Sequence, residues 1–202
     1  MRIGIEMNGV LRDTILKFRQ LYEKFNIDLA PELEEGNEPV FKYEVIEPID
    51  SLDLMNHFSF QSKEEFFSFL YEEFPMEIFG HSPSTELLSF NYLNDFYLDF
   101  RDKNDIVIIS DEIGKTKPAT LFFLSKFGCL IESILFYNDS NKSKVLGDFD
   151  LIVTSNPDIL INYNNCIKFN TIYNEKINCN ESINSIEELK LILKNKLDAD
   201  NS

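Results

Sequence analysis

The sequence predicts an α/β protein with a doubly wound parallel sheet and a small, mainly helical insertion after the first strand-helix unit. Three observations predict this class. An apolar run and an amphipathic segment open the chain, and from residue 105 onward short apolar runs alternate with helical patterns, which is typical of parallel sheets. Between these parts, the sequence has helical patterns and prolines without that alternation. We therefore expect a core of residues 1–27 and 101–202 and an inserted cap of residues 28–100.

The first unit is a strand followed by a helix. Residues 3–5 form a short apolar run that breaks at Asn8-Gly9, a dipeptide typical of turns. Residues 13–26 place apolar side chains at helical spacing, which predicts a helix packed on the sheet.

The predicted cap contains an irregular segment and two helices. Residues 28–60 carry three prolines among acidic residues, with a short strand or hairpin arm expected at 40–46. A capping box at Ser62-Lys-Glu-Glu65 predicts a helix to about residue 74. Ser82-Pro83 predicts the start of a second helix that runs to about residue 100, because proline favours the first helical position.

The second half of the chain completes the predicted sheet. Apolar runs predict strands at 106–109, 133–137, 150–153 and 167–169. Helices are expected at 118–127, 158–161 and 185–197, the last of which begins with a second capping box.

Composition limits the classes of function. The chain has 202 residues, enough for one core that buries roughly 70% of the unfolded surface. A formal net charge of −16 disfavours binding to nucleic acid or to an anionic membrane, since both need Lys and Arg to meet phosphates. Three cysteines without metal-type spacing indicate reduced thiols, and no signal-peptide pattern opens the chain, so we expect a cytoplasmic protein. The abundance of Phe, Ile, Asn and Lys is typical of an AT-rich genome, viral or bacterial.

Polar side chains stand where three predicted strands end. Glu6 and Asn8 follow the first strand, Ser110 ends the second, and Thr154 and Ser155 follow the strand at 150–153. Open α/β sheets place their ligands at the carboxyl ends of their strands. We therefore expect a ligand site there.

The segment Ile-Gly-Ile-Glu-Met-Asn-Gly-Val-Leu-Arg, residues 3–12, resembles the first motif of the haloacid dehalogenase-like (HAD) hydrolases, Asp-x-Asp-Gly-Val/Thr. In this comparison Glu6 takes the position of the nucleophile and Asn8 that of the general acid. Gly9 matches the motif glycine and is implied to help bind phosphate. Residues 106–110 resemble the second motif, in which the terminal hydroxyl, here Ser110, binds the phosphoryl group.

Residues 150–159 resemble a segment of the 5'-nucleotidase branch of the same superfamily, Asp-x-Leu-Ile-Asp-Asp-x-Pro-Asp/Glu-x. Thr154 and Ser155 then take the places of the two metal-binding aspartates. Lys144 takes the place of the third-motif lysine, with a catalytic and phosphate-binding role. The resemblance also implies that Glu6 and Asn8 belong to the metal site.

The substitutions predict that the family's reaction is lost. Glu6 carries one methylene more than aspartate, and an in-line nucleophile tolerates little misplacement. Asn8 has no titratable proton to give a leaving group. Thr154 and Ser155 are neutral, whereas magnesium prefers carboxylate oxygens, so the metal site is expected to be vestigial. We expect no cofactor, or magnesium if activity is retained.

Simpler interpretations of these residues remain open. Glu6 and Asn8 could be ordinary polar groups at a strand end, and Ser110 could merely cap the turn after its strand. Lys144 could be a solvated loop lysine. His57 and His81 are expected at the surface of the cap.

Three functions are therefore weighed. The preferred one is a catalytically inactive HAD-like protein that binds a protein partner or a small phosphate ligand. The second is a magnesium-dependent phosphatase of nucleoside monophosphates that uses Glu6 and Asn8. The third is an acidic inhibitor of a basic protein, suggested by net charge alone.

Overall fold

A six-stranded, all-parallel sheet forms the centre of the molecule. The computed structural model describes residues 1–28 and 44–200. The strands are β1 (Arg2–Glu6), β2 (Asp105–Asp111), β3 (Ser133–Tyr137), β4 (Leu151–Thr154), β5 (Cys166–Phe169) and β6 (Ser182–Ile183). Their order is β3-β2-β1-β4-β5-β6, with every pair parallel. This is the order of a doubly wound sheet and confirms the predicted fold class.

Helices connect the strands and cover both faces of the sheet. They are α1 (Thr14–Asp28), α2 (Lys63–Phe67), α3 (Ser89–Phe100), α4 (Thr116–Lys126), α5 (Lys142–Gly147), α6 (Pro157–Asn162) and α7 (Ile186–Asp200). Two π-helical turns (Ser68–Glu73 and Met76–Gly80) and two 3-10 turns (Leu54–Asn56 and Ile172–Asn174) add to them. Within the described residues, every helix is too short or too polar to cross a bilayer.

Alternate residues of the strands build two separate apolar layers. Ile3 and Ile5 of β1 point into the layer that contains α3, α4 and α7. Val107 and Ile109 of β2 contribute to the layer on the other side, beneath α5 and α6. Each fully buried side chain of this size stabilises the fold by roughly 1.5–3 kcal/mol, so the central strands are fixed from both faces.

A third cluster, rich in aromatic rings, lies between α1 and the described part of the cap. Phe18 is fully buried and meets Phe58 edge to face, with ring centroids 4.8 Å apart, and Phe69 at 5.6 Å. Tyr22 contacts the same Phe58 ring at 5.0 Å. Helix α1 therefore packs against the described part of the predicted cap, and aromatic rings fill the contact.

The position of α3 bears on the predicted domain division. This helix belongs to the predicted cap, residues 28–100, yet it packs against α7 and its Phe90, Leu93 and Phe96 lie in a core layer. The division into core and cap stays a prediction. Of the strand expected at 40–46, residues 40–43 lie outside the described residues, and Val45 forms an isolated bridge with Phe58.

The helix expected from Ser82 begins later, at Ser89, so its predicted start is wrong. The hydroxyl of Ser82 donates to the carbonyl of Ile78 at 2.5 Å, and the Thr85 hydroxyl donates to the Val10 carbonyl at 2.6 Å. These bonds hold the segment in an irregular path beside the first turn after β1. Short α5 and two-residue β6 were not predicted, because neither is long enough to show a period.

The prediction that His57 lies at the surface is also wrong. His57 is 5% exposed, and its Nδ1 lies 3.0 Å from the carbonyl oxygen of Ile46. Its Nε2 lies 3.6 Å from Oδ1 of Asp50. His81 is exposed, as predicted, and its ring packs against Phe122.

Candidate functional site

The predicted site lies where β1 and β4 end side by side. Chain connections run from β1 to β2 and β3 on one side and return to β4 on the other. Between β1 and β4 the order of the strands therefore reverses. Ligands of open α/β sheets bind in the crevice at such a reversal. Glu6 ends β1 and Thr154 ends β4, so the structure brings these two predicted residues together.

Glu6 is buried, with 2% of its surface exposed, and both of its carboxylate oxygens accept hydrogen bonds. Oε1 accepts from the Tyr137 hydroxyl at 3.2 Å. Oε2 accepts from the Thr154 hydroxyl and from the backbone N–H of Ser155 at 3.3 Å. Burial raises the pKa of Glu6 from 4.5 to about 7, although these hydrogen bonds act in the opposite direction. Near neutral pH the carboxyl group therefore exists in both protonation states.

Asn8 is held by the residues that follow it in the same loop. Its Oδ1 accepts from Arg12 Nη2 at 2.7 Å, from Arg12 Nε at 3.1 Å and from the Thr14 hydroxyl at 2.8 Å. Three donors on one amide oxygen fix the orientation of the side chain. The backbone carbonyl oxygen of Asn8 accepts from the hydroxyl of Ser155 at 3.3 Å.

Gly9 takes a left-handed conformation with φ of +76°. Its N–H donates to the carbonyl of Arg12 at 2.9 Å, which closes the loop. A Cβ at this position would lie 2.1 Å from the Tyr173 hydroxyl oxygen and 2.3 Å from Ser155 Oγ. Only glycine fits both the backbone conformation and the space.

A buried ion pair that the sequence analysis missed lies behind the loop. Arg12 and Glu112 are joined through Nη2 and Oε1, and both side chains are 0% exposed. Arg12 Nη1 donates to the carbonyl of Phe79 at 2.9 Å and to the Thr120 hydroxyl at 2.5 Å. Its guanidinium carbon lies 5.0 Å from the ring centroid of Phe79. The pair thereby ties the loop after β1 to the cap and to α4.

Ser110 belongs to the same buried network. Its hydroxyl donates to Glu112 Oε1 at 2.9 Å, and that oxygen also accepts from Thr120. Glu112 Oε2 is buried and has no hydrogen-bond partner among the described residues. A chain of contacts thus runs from Asn8 through Arg12 and Glu112 to Ser110. The sequence offered little to predict this network: Arg12 follows the apolar pair Val10-Leu11, and Glu112 follows shortly after the second predicted strand.

Thr154 and Ser155 form a neutral hydroxyl network. The Thr154 hydroxyl donates to Glu6 and accepts from the Asn156 N–H at 2.9 Å. Ser155 Oγ accepts from the Tyr173 hydroxyl at 2.9 Å. Every polar atom of these two side chains is therefore used inside the protein.

Lys144 is not brought together with the other predicted residues. It lies on α5, is exposed, and forms no ion pair or hydrogen bond with the part of the chain that the structure describes. Lys142, in the first turn of the same helix, pairs with Asp158. The charge of Lys142 also acts to lower the pKa of Asp111, although burial raises that pKa overall. The assigned role of Lys144 stays a prediction.

The residues at the predicted metal position do not fit a magnesium ion. Magnesium is bound through one or two carboxylates with near-ideal octahedral geometry. Among Glu6, Asn8, Thr154 and Ser155 only the first is acidic, and protein donors surround both of its oxygens. No group of three or more His, Cys, Asp or Glu side chains within residues 1–28 and 44–200 is placed to hold a metal.

A cavity of about 740 Å³ opens in front of these strand ends. Its polar floor contains Glu6, Asn8, Asp111, Ser155, Asn156 and Tyr173. Its walls are mainly apolar side chains of α1 and the cap, among them Ile15, Leu16, Ile49, Leu54, Phe66 and Leu70. The volume lies within the range of small-molecule pockets, and an apolar wall with a few converging polar groups is their usual composition.

The charges that line the cavity are mostly negative. Glu6, Asp13, Glu47 and Asp111 are acidic, and Arg19 is the single basic residue among the described lining residues. Arg19 is paired with Glu47 and, at 2.9 Å, with Glu23. The cavity therefore repels anions.

Matches to known proteins are found by structure and not by sequence. No protein-family model matches the sequence, and no curated protein matches it. Twelve chains of solved structures match the structure. One, described as a crystal structure analysis of a dehalogenase with intermediate complex, is 13% identical over 95% of this chain and 96% of that chain, with a TM-score of 0.48. No residue role is carried over at this identity and score.

Proposed function

We propose that this chain is a HAD-like phosphatase-fold protein that does not transfer phosphoryl groups and acts by binding a small molecule in its cavity. One observation carries the proposal: both oxygens of Glu6 are engaged by internal donors, two of which belong to Thr154 and Ser155. These two residues stand where the resemblance puts metal-binding aspartates. The segment 150–159 favours an origin in the 5'-nucleotidase branch.

The geometry of Glu6 opposes nucleophilic attack. An attacking oxygen needs a free lone pair aimed at phosphorus at about 3–3.5 Å. The Tyr137 hydroxyl, the Thr154 hydroxyl and the Ser155 N–H take three of the roughly four acceptor sites on the two oxygens of Glu6. A pKa of about 7 also leaves part of the carboxyl protonated at neutral pH. Leaving-group protonation lacks a donor as well, because Asn8 does not titrate and its oxygen faces Arg12.

The cavity is better suited to an uncharged or cationic ligand than to a small phosphate ligand. The Gly9 N–H and the Ser110 hydroxyl are both used inside the protein. Arg12 is fully buried, and its guanidinium donates hydrogen bonds to Asn8, Phe79, Thr120 and Glu112. A phosphate in the cavity would therefore face carboxylates without a cationic partner.

The test is release of phosphate from nucleoside monophosphates and an aryl phosphate, with and without magnesium. Wild type is compared with a variant that carries Glu6→Asp, Asn8→Asp, Thr154→Asp and Ser155→Asp. We expect wild type to release none above the rate without protein. Gain of magnesium-dependent release in the fourfold variant would support the alignment of the site with the family's motifs.

A control variant separates lost chemistry from lost structure. Thr154→Val with Ser155→Ala removes the hydroxyls without adding carboxylates, and circular dichroism reports whether each variant is folded. Magnesium-dependent turnover by wild type that Glu6→Ala abolishes would overturn the proposal. The chain would then be a phosphatase with an altered nucleophile loop.

A further inference from the structure

We infer that the cavity binds a hydrophobic amine, that is, an apolar body carrying one cationic group that lies against the strand ends. This inference rests on the proposed function, because it names the ligand class of the same cavity. The apolar walls, the carboxylates of the floor and the charge of the adjoining cleft all favour this ligand.

The apolar walls set the body of the ligand. Leu16, Ile49 and Leu54 face the cavity together with Phe66 and Leu70. Apolar area removed from water contributes about 25 cal/mol per Å², so a ligand that covers these walls gains more than a small polar one. A free inorganic anion would fill only a small part of the 740 Å³ and would leave the apolar walls without contact.

The floor sets the charge of the ligand. Glu6, Asp13 and Asp111 line the cavity, and none of them forms an ion pair with any described residue. Arg19 lies on the wall but is neutralised by Glu23 and Glu47. An ammonium group near the floor would gain from these carboxylates, which form no ion pair within the described part of the chain.

An adjoining cleft adds to the negative potential at the entrance. This cleft of about 250 Å³ shares Leu52, Asn156 and Tyr173 with the cavity. Its other lining residues include Asp50, Asp53 and Asp158. Among the described residues, Asp158 pairs with Lys142, and Asp50 lies 3.6 Å from Nε2 of the buried His57. Surfaces of one sign raise the local concentration of ligands of the opposite sign.

Aromatic rings favour a cation over a neutral head group. Phe66, Phe67 and Tyr71 contribute rings to the lining. Phe18 and Phe79 line it as well, but Phe18 is fully buried in the aromatic cluster and Phe79 already contacts the guanidinium of Arg12. A cation within about 6 Å of a ring face is attracted by the ring quadrupole, and such rings recur where ammonium ligands bind. A phosphate at the same place would meet the repulsion of both the rings and the carboxylates.

The test compares three probes with the same apolar body: 4-phenylbutylamine, 4-phenylbutanol and 4-phenylbutyl phosphate. Isothermal titration calorimetry at pH 8 and low salt gives a Kd for each with the full chain. We expect the amine to bind about tenfold more tightly than the alcohol, since one favourable carboxylate pair in a partly desolvated site supplies an effect of this size. The phosphate should bind more weakly than the alcohol.

Two variants of one strand provide matched controls. Asp111 and Asp105 stand at opposite ends of β2, and only Asp111 lines the cavity. Asp111→Asn should reduce the preference for the amine about threefold, because Glu6 and Asp13 remain, with a much smaller effect on the Kd of the alcohol. Asp105→Asn removes the same charge at the far edge of the sheet and should leave both values unchanged.

Several results would overturn the inference. These are equal or tighter binding of the phosphate or the alcohol, no binding of any probe at millimolar concentration, and the same effect of Asp111→Asn and Asp105→Asn. The phosphate-release assay separates this failure from failure of the proposed function. Release of phosphate overturns the proposed function whatever the order of the probes, and a wrong order without release overturns the ligand class alone.

Discussion

Replacing Glu6 with Gln should remove a pH dependence from the stability of the fold. Glu6 has a pKa of about 7 in the folded protein against 4.5 as its ordinary value. The folded state therefore holds this proton more tightly than the unfolded state does. The stability that the protonated carboxyl contributes is fully present below about pH 4.5 and is lost as the pH rises through 7.

The size of the effect follows from the shift. Because one pH unit corresponds to about 1.4 kcal/mol, a rise from 4.5 to about 7 amounts to roughly 3 kcal/mol, most of it lost between pH 5 and pH 8. Gln has nearly the shape of Glu and does not titrate. The difference in unfolding free energy, wild type minus Glu6→Gln, should therefore fall by about this amount over that range.

Urea unfolding followed by circular dichroism at pH 5, 6, 7 and 8 measures the difference. Both proteins are compared at constant ionic strength, so that the other carboxyl groups cancel. Glu132→Gln, which removes an exposed carboxyl group just before β3, controls for the loss of one charge. Curves for wild type and Glu6→Gln that stay parallel within about 0.5 kcal/mol would refute the claim that Glu6 is buried in a desolvated site.

The remaining predictions concern the buried pair and the loop. Arg12→Met should lower the unfolding free energy by about 3–5 kcal/mol, because it leaves the Glu112 carboxyl buried without its cation. Adding Glu112→Gln should recover part of this loss. Strictly additive effects of the two substitutions in urea unfolding would contradict the prediction. Gly9→Ala should cost more than about 2 kcal/mol by thermal unfolding, since it combines a φ of +76° with a clash at Tyr173. Gly128→Ala, at a φ of +64° with open space around it, should cost only about 1 kcal/mol, and equal costs would show that the close approach at Gly9 is unimportant.

The sheet could be predicted from the sequence because its central strands are buried on both faces. The run at 106–109 is apolar without interruption, and so are those at 134–136 and 151–153. Such runs separated by helical patterns leave few arrangements other than a parallel sheet. The start of α3 could not be predicted in the same way, since the Thr85 hydroxyl that holds the preceding segment bonds to Val10, far away in the chain.

The same distinction applies to the candidate site. Glu6 and Thr154 could be expected to meet, because parallel strands end at one edge of their sheet. The pairing of Arg12 with Glu112 could not, because 100 residues separate them and isolated charges normally lie at the surface. Lys142 rather than Lys144 contacts Asp158, because the two lysines lie on different sides of α5, a helix of six residues. A helix this short gives too little period to determine that phase.

The most direct test of the central claim is magnesium-dependent phosphate release by wild type beside Glu6→Ala. Both proteins are assayed at equal concentration with an aryl phosphate and with nucleoside monophosphates, after circular dichroism shows each to be folded. The structure predicts equal rates, indistinguishable from the rate without protein, because Glu6 is engaged by Tyr137, Thr154 and Ser155. A wild-type rate that depends on magnesium and disappears in Glu6→Ala would contradict the account.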